Sequence, residues 1–516
     1  ATLARADPTS DRLAAVSARI VDALLTSDPL YVNAWVDRLF DIRAALHDTL
    51  VQAASNVDSP MHRRLMAIGV IAHFSRTDPA FPEMKRLPEL ILSADDEASV
   101  ALSDLLLRRR DDILPLLLPE ATVALSDHPL LDDHGVVLRK TAAVLAVRQL
   151  GESEPFWENL NDARDPRVRT ELINRADRWE MSEAEWIAAL RNRPPHIRQA
   201  VLLGLASQRT ALANGEQQRL SEIVTELYRT DPDAGVHSAA ELTLRRQLGD
   251  HELRELQNGL SGRQVGNWQI LSNGLCMVSV SRPGRIMLGS ALPTSELGLR
   301  SGPRSVTIDY SFEISTTEVT VRQFRQFDET TPYSEDVTSS PECPMSRLSL
   351  YDAMKFCRWL SEQQPWFDAQ NCCYPEIDRI GEGMSLSTED LQRPGFRVPT
   401  IDEWEYSARA GSITDRYFGN SEDHLSLYSW WVSSSDETLW PVAQKRPNGL
   451  GLFDIHGNVR EWVHDRNSPI RSLRQPIMGG DYRTSQRFHA SSVLATTQAG
   501  FQVSVNGFRI ACTKPE

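Results

Sequence analysis

The sequence predicts two folds in series: an all-α region over residues 1–260 and an α+β, loop-rich domain over residues 261–516. Three observations predict this. Apolar residues recur at helical spacing through the first half. Short alternating strands, bounded by Pro and Gly, begin near Trp268. Tryptophans and glycines then dominate to the end of the sequence. At 516 residues the chain is too long for one ordinary core, so two or more domains are expected.

The helices come first. In Arg12–Leu25, residues Leu13, Val16, Ile20, Val21 and Leu24 share one face. Similar stretches cover 59–75, 97–109, 135–150 and 216–228. Asp28-Pro29, Asp78-Pro79, Asp165-Pro166, Pro194-Pro195 and Asp231-Pro232 separate successive helices, because proline is tolerated in the first turn and breaks a helix elsewhere. Asp165-Pro166-Arg167-Val168-Arg169, Pro195-His196-Ile197-Arg198 and Asp231-Pro232-Asp233-Ala234-Gly235-Val236-His237 form a weak internal repeat, each copy opening an Ala/Leu-rich helix. Irregularly spaced helical hairpins of this kind fit a HEAT-like solenoid, with an irregular helical bundle as the alternative.

Composition narrows the function classes. A net charge of -15 argues against a general phosphate-binding surface, so no nucleic-acid partner is expected. The triplet Arg108-Arg109-Arg110 is read as a solvated helix face. No apolar run reaches 18 residues, so no membrane span is expected. Six cysteines without zinc spacing read as reduced, buried thiols. With no leader pattern visible from Ala1, these features favour a cytoplasmic location.

In the second half, strands are expected at 276–280, 285–288, 306–310 and 312–314. Helices are expected at Thr320–Phe327 and Leu350–Glu362. Seven landmarks then occur in order. They are Ile286-Met287-Leu288-Gly289-Ser290, Glu318-Val319-Thr320, the helix from Leu350, Phe396 to Gly411, Gly451 to Trp462, Gly479-Gly480 and Gly507-Phe508-Arg509. Residues 268–513 thereby resemble the formylglycine-generating enzyme, or sulfatase-modifying factor, family. The resemblance implies an elaborated C-type-lectin-like fold. Helical repeats followed by such a domain also resemble the C-terminal part of bacterial kinase-linked signalling proteins, so a kinase domain outside these residues is expected; no kinase motif occurs within them.

The resemblance implies particular site residues. In the Gly451–Trp462 loop the family's structural calcium maps to Asp454, Gly457, Val459 and Glu461, two carboxylates and two backbone carbonyls that suit a hard cation. The family's oxidases hold copper(I) on two cysteines five residues apart, because soft thiolates select that ion. Those positions are Thr484 and His489 here, and copper or iron is not expected. A His-x-x-x-His-x-Glu iron helix, as in the non-haem-iron sulfoxide synthases, is missing too.

What remains is display. The segment Tyr482–Asn506 lines the ligand-facing surface in this fold, and Tyr482, Arg483, Arg487, His489, Leu494, Gln498 and Gln502 are the expected binding residues. Small polar residues among apolar ones suit a protein or peptide partner. The alternation Phe501-Gln502-Val503-Ser504-Val505 predicts a half-buried strand. The expected function is non-catalytic protein recognition. The alternative is an oxidoreductase or metal-dependent modifying enzyme of the formylglycine-generating or sulfoxide-synthase type, with His489 as metal ligand beside Asp481, His456 or His464.

Overall fold

A computed structural model describes residues 11–515 apart from 28, 57, 79–80, 82–86, 95, 126–133, 209–213, 249, 291–301, 467–469 and 471–473. The Asp28 and Pro79 punctuation, and the side chain of Leu13, lie outside the described residues. The chain divides into two compact units: Ala1–Asn159 with Asp177–Glu180, and Leu160–Ala176 with Met181–Glu516.

The first unit is helical. Its helices are α1 (Asp11–Leu25), α2 (Pro29–Leu39), α3 (Arg43–Ser55), α4 (Met61–Thr77), α5 (Leu87–Leu92), α6 (Asp96–Arg108), α7 (Arg110–Thr122) and α8 (His134–Gln149), with α9 (Glu154–Asn161) at the join. Every long helix expected in this stretch is present within two residues of its expected ends. Leu46, Leu50, Ile68, Ile71 and Phe74 form the buried seam between α3 and α4. The arginine triplet is largely solvated, as expected, but spans a helix junction: Arg108 ends α6, Arg110 begins α7, and Arg110 Nε donates to the Leu150 carbonyl at 2.7 Å.

The second unit begins with more helices: α10 (Pro166–Asn174), α11 (Glu183–Asn192), α12 (Pro195–Leu205), α13 (Asn214–Thr230), α14 (Ala234–Leu248) and α15 (Asp250–Asn258). The three repeat copies open α10, α12 and α14. Pro166 and Pro195 each take the first helical position, where a missing N–H costs nothing. Asp165 accepts from Arg167 N, and Asp233 accepts from Val236 N at 3.0 Å, so the acidic residue is the cap.

Strands follow: β1 (Gln264–Val265), β2 (Trp268–Ile270), β3 (Cys276–Val280), β4 (Gly284–Leu288), β5 (Arg304–Ile308), β6 (Phe312–Ser315), β7 (Gly395–Arg397), β8 (Arg460–Trp462), β9 (Arg474–Met478), β10 (Leu494–Gln498), β11 (Asn506–Gly507) and β12 (Ala511–Thr513). One sheet has the order β1-β2-β3-β6-β12-β7, a second has β10-β9-β8-β11, and β4 and β5 form a hairpin. Strand β12 lies antiparallel between β6 and β7. The helix over Leu350–Glu362, α17 after the single turn α16 (Val321–Phe324), has the bounds the periodicity predicts. Ser349 and Asp352 close a capping box at its start. The expected strand at 501–505 is not formed. Phe501 is half exposed, and the ladder runs instead through β10 and β11.

The helical segment and the strands of this unit interlock. Trp268 stacks on His237 at 3.7 Å between centroids, and His237 stacks on Tyr228 at 4.5 Å. Trp268 Nε1 donates to the Asp231 carbonyl at 2.8 Å, and Gln199 Nε2 to the Asn448 carbonyl at 2.7 Å. Gly451, at φ +84°, has room for no side chain: a Cβ there would sit 2.6 Å from the Ala234 carbonyl oxygen.

Candidate functional site

Three landmark segments meet on one buried ion pair. Glu461, on β8, accepts from Arg509 Nε at 2.7 Å and Nη2 at 2.8 Å, and from Trp404 Nε1 at 2.6 Å. Arg509 also donates to the carbonyls of Ser315 and Phe453, each at 3.0 Å. All three side chains are buried. Trp404 is delivered by the helix Ile401–Arg409, whose cap Thr400 forms a capping box with Glu403. Glu403 in turn receives both Arg397 nitrogens at 2.7 Å. Bidentate guanidinium–carboxylate pairs of this kind combine strength with fixed orientation. The aromatic and charged residues of the motifs are therefore ties between distant segments.

The four positions expected to hold calcium do not fit it as a set. Glu461 is committed to Arg509 and Trp404. Asp454 accepts from Ala443 N at 2.7 Å with Oδ2, and only its Oδ1 lacks a partner. Gly457 and Val459 are buried, with Gly457 pressed against Ser429 and Trp430. Arg509 supplies the positive charge that an ion would bring. A third carboxylate, Glu318, was missed in the sequence because it reads as the lead-in to a helix. It is fully buried, and neither of its oxygens has a hydrogen-bond partner. Burial, then repulsion from Asp454, raises its pKa well above the usual carboxylate range, and burial pushes Asp454 up to about 6.

The two positions where the oxidases have cysteines face each other. His489 Nε2 is 3.2 Å from Thr484 Oγ1; its Nδ1 is 3.0 Å from Ser429 Oγ and contacts the His456 carbonyl. Gly480, at φ +74°, lets the backbone run against the His489 ring, where a Cβ would come within 3.0 Å. Arg416 Nε holds the His489 carbonyl at 3.0 Å. The imidazole is fully buried, and burial pushes its pKa down to about 4, so it is neutral at pH 7. This is a closed, neutral hydroxyl–imidazole pair with no thiolate to offer copper.

Of the other expected partners of a His489 metal site, His464 and Asp481 are engaged by Tyr374 and Arg460, while His456 is buried with both ring nitrogens lacking a hydrogen-bond partner. His464 Nε2 is 2.7 Å from Tyr374 Oη. His456 stacks on Tyr417. Among the described residues, no three His, Cys, Asp or Glu side chains are placed to hold one ion.

The display segment is only partly a surface. Tyr482 is fully buried, packed with Val337, Cys343, Leu439 and Val459, because its aromatic area is core material. His489 is buried as described. Both are corrections to the expected binding set. Arg483, Arg487, Gln498 and Gln502 are exposed, and Leu494 is half-buried. Gln502 donates to Asp352 at 2.8 Å.

With this geometry in hand, comparison with known proteins identifies the domain. Residues 276–514 match the sulfatase-modifying factor enzyme 1-like domain. The C-terminal half thus carries a formylglycine-generating-enzyme-like, C-type-lectin-like domain, and the region before it is helical. A chaperone protein LppX from Paenibacillus barcinonensis is 26% identical over 202 residues, covering 35% of this chain and 70% of its own length. The formylglycine-generating enzyme of Streptomyces coelicolor is 28% identical over 157 residues, 28% of this chain and 38% of the enzyme, so the match spans little more than a third of that relative. The inactive C-alpha-formylglycine-generating enzyme 2 of Bos taurus is 27% identical over 238 residues, 38% of this chain and 74% of the relative. Among the described residues no helix is long and apolar enough to cross a membrane.

The buried histidines of the formylglycine-generating-enzyme-like unit set a pH limit. Burial holds His489 and His237 each at about 4, below the unfolded value of about 6.5. The unfolded chain therefore binds more protons between these values, so stability is complete above about pH 6.5 and falls as the pH drops toward 4. Each histidine is expected to remove about 2 kcal/mol between pH 7 and pH 5. Urea midpoints at the two pH values should show the loss, and His237→Phe should remove its share. Because the raised carboxyls of Asp454 and Glu318 gain stability over the same interval, the test is the difference: a pH dependence that His237→Phe leaves unchanged contradicts the assignment.

Proposed function

We propose that this chain is a non-catalytic protein-recognition module built on a formylglycine-generating-enzyme-like domain. The observation that carries the reading is the Thr484–His489 pair, buried, neutral and hydrogen-bonded where the oxidases place copper thiolates. A relative named as inactive supports it. In this reading the exposed part of the display segment, Arg483, Arg487, Gln498 and Gln502 with Leu494 beside them, meets a protein or peptide partner. The helical hairpins stack in a HEAT-like manner and add to the surface. A bacterial signalling setting, with a kinase domain outside this chain, belongs to the same proposal and rests on sequence resemblance alone.

The test is a sulfatase-type cysteine peptide incubated with the chain, copper, reductant and oxygen, and read by mass spectrometry beside an active enzyme. No aldehyde is expected from this chain. Conversion of the peptide would overturn the reading and favour the oxidoreductase alternative. For recognition, the double change Arg483→Glu and Arg487→Glu is expected to weaken a captured partner by about tenfold with an unchanged melting temperature, since exposed charges at a contact act on association and little on the fold.

A further inference from the structure

Four of the chain's six cysteines lie in one core cluster: Cys357 on α17, Cys372 and Cys373 in the loop after it, and Cys512 on β12. They surround the β7 strand, where Cys512 is paired with Phe396. Cys372 and Cys373 differ from the other two, because both sulfurs crowd the same side of Gly395. A Cβ at that glycine would stand 2.5 Å from Cys373 Sγ and 3.1 Å from Cys372 Sγ. The Cys373 thiol has two acceptors in reach, the Phe396 carbonyl at 3.3 Å and the Cys372 sulfur. Cys373 N is tied to the Pro394 carbonyl at 3.0 Å, so the loop is pinned to β7 where the sulfurs converge.

The surroundings polarise the pair. The Cys373 thiol, and then the Tyr374 N–H, the Arg358 guanidinium and the Ser361 hydroxyl, lower the Cys372 pKa to about 6, against the pull of burial. Burial raises Cys373, Cys357 and Cys512. Within this buried pair Cys372 is therefore the more readily deprotonated thiol and Cys373 the less. Neighbouring residues have Cα atoms about 3.8 Å apart, shorter than the usual separation across a disulfide, so the pair is poorly placed to bond to itself. One ion with a long bond to each sulfur suits the same geometry better.

We propose that Cys372 and Cys373 form a two-sulfur site that captures a single soft, thiophilic ion of the trivalent-arsenic or monovalent-copper kind. With an organoarsenic dihydroxide, two As–S bonds form and two As–O bonds break. The hydroxyls leave as two waters, taking the Cys373 proton and one proton from solvent. No electron changes hands. Copper(I) would displace the Cys373 proton and sit between the sulfurs. The site is separate from the Thr484–His489 pair, and its fate does not bear on the recognition reading.

The experiment titrates the full chain with phenylarsine oxide and reads intact mass. One equivalent should add, survive a monothiol and be removed by a dithiol. Cys372→Ser and Cys373→Ser should each abolish the monothiol-resistant adduct, and Cys343→Ser should retain it. Should either serine variant melt early, wild-type chain alkylated at Cys372 by iodoacetamide, with the position confirmed by peptide mapping, replaces it and should be equally unreactive. A parallel titration with copper(I) against a competing chelator separates the sources: retention lost in the same variants assigns copper, and arsenical capture without copper retention assigns arsenic. An adduct that persists without Cys372 or Cys373, one that a monothiol removes as readily as a dithiol, or no capture of either ion overturns the proposal.

Discussion

Glu461→Ala is expected to cost about 3–5 kcal/mol, because it leaves the Arg509 guanidinium charged and uncompensated in the core. Both side chains are shut off from water, and the carboxylate also takes the Trp404 indole N–H at 2.6 Å. Removing it therefore strands a cation and an indole donor together. Asp454 and Glu318 are close enough to affect Arg509 and would offset part of the loss if they ionise. Glu461→Gln should be milder, since the amide oxygen can still accept one bond. Replacing both partners with apolar residues of similar volume should recover much of the loss. Equilibrium unfolding in urea checks the series. A cost below about 1 kcal/mol for Glu461→Ala would show that the pair is not a tie.

A chain beginning at residue 261 is expected not to fold, although it contains all of the matched residues 276–514. The loss should be larger than that of any single substitution. Trp268 is buried by His237, which itself lies on Tyr228. Uncovering one buried tryptophan costs about 3–5 kcal/mol on the scale of large core truncations. The same cut exposes Gly451 and the Asn448 carbonyl and takes from Arg446 the Ser207 hydroxyl that its Nη2 reaches at 2.7 Å. The Glu171–His424 contact at 2.7 Å would go as well. Chains starting at 160 and at 261 can be compared by gel filtration and amide chemical-shift dispersion. The longer should be monomeric and dispersed, the shorter aggregated. A dispersed, stable 261–516 chain would make the helical segment an accessory.

Several features were legible in the sequence because they rest on local rules. The bounds of α17 follow from Ser349, Asp352 and a regular apolar stripe. The starts of α10 and α12 follow from proline at the first turn. The ordered landmarks gave the C-terminal fold because each marks a turn or tie that few residue types satisfy. What depends on long-range packing was not legible. Tyr482 looks like a display residue by position, and only the three-dimensional neighbourhood of Leu439 and Val459 makes it core. Asp454 and Glu461 look alike as oxygen donors until Arg509, 48 residues from Glu461, is seen to occupy one of them. The strand predicted at 501–505 failed because alternation says nothing of whether a partner strand is available. Nothing in the sequence linked Cys372-Cys373 to Gly395.

The placement of β12 between β6 and β7 governs when this domain can exist at all. Residues 511–513 follow every other described strand of the six-stranded sheet in the sequence, yet they form an inner position of it. A nascent chain still tethered before that point carries β6 and β7 with facing edges open, and open strand edges invite pairing with the wrong chain. Closure must await contacts that span the domain, which slows folding relative to the helices upstream. A chain cut before residue 511 would therefore leave an unclosed sheet, a substrate for chaperones and proteases.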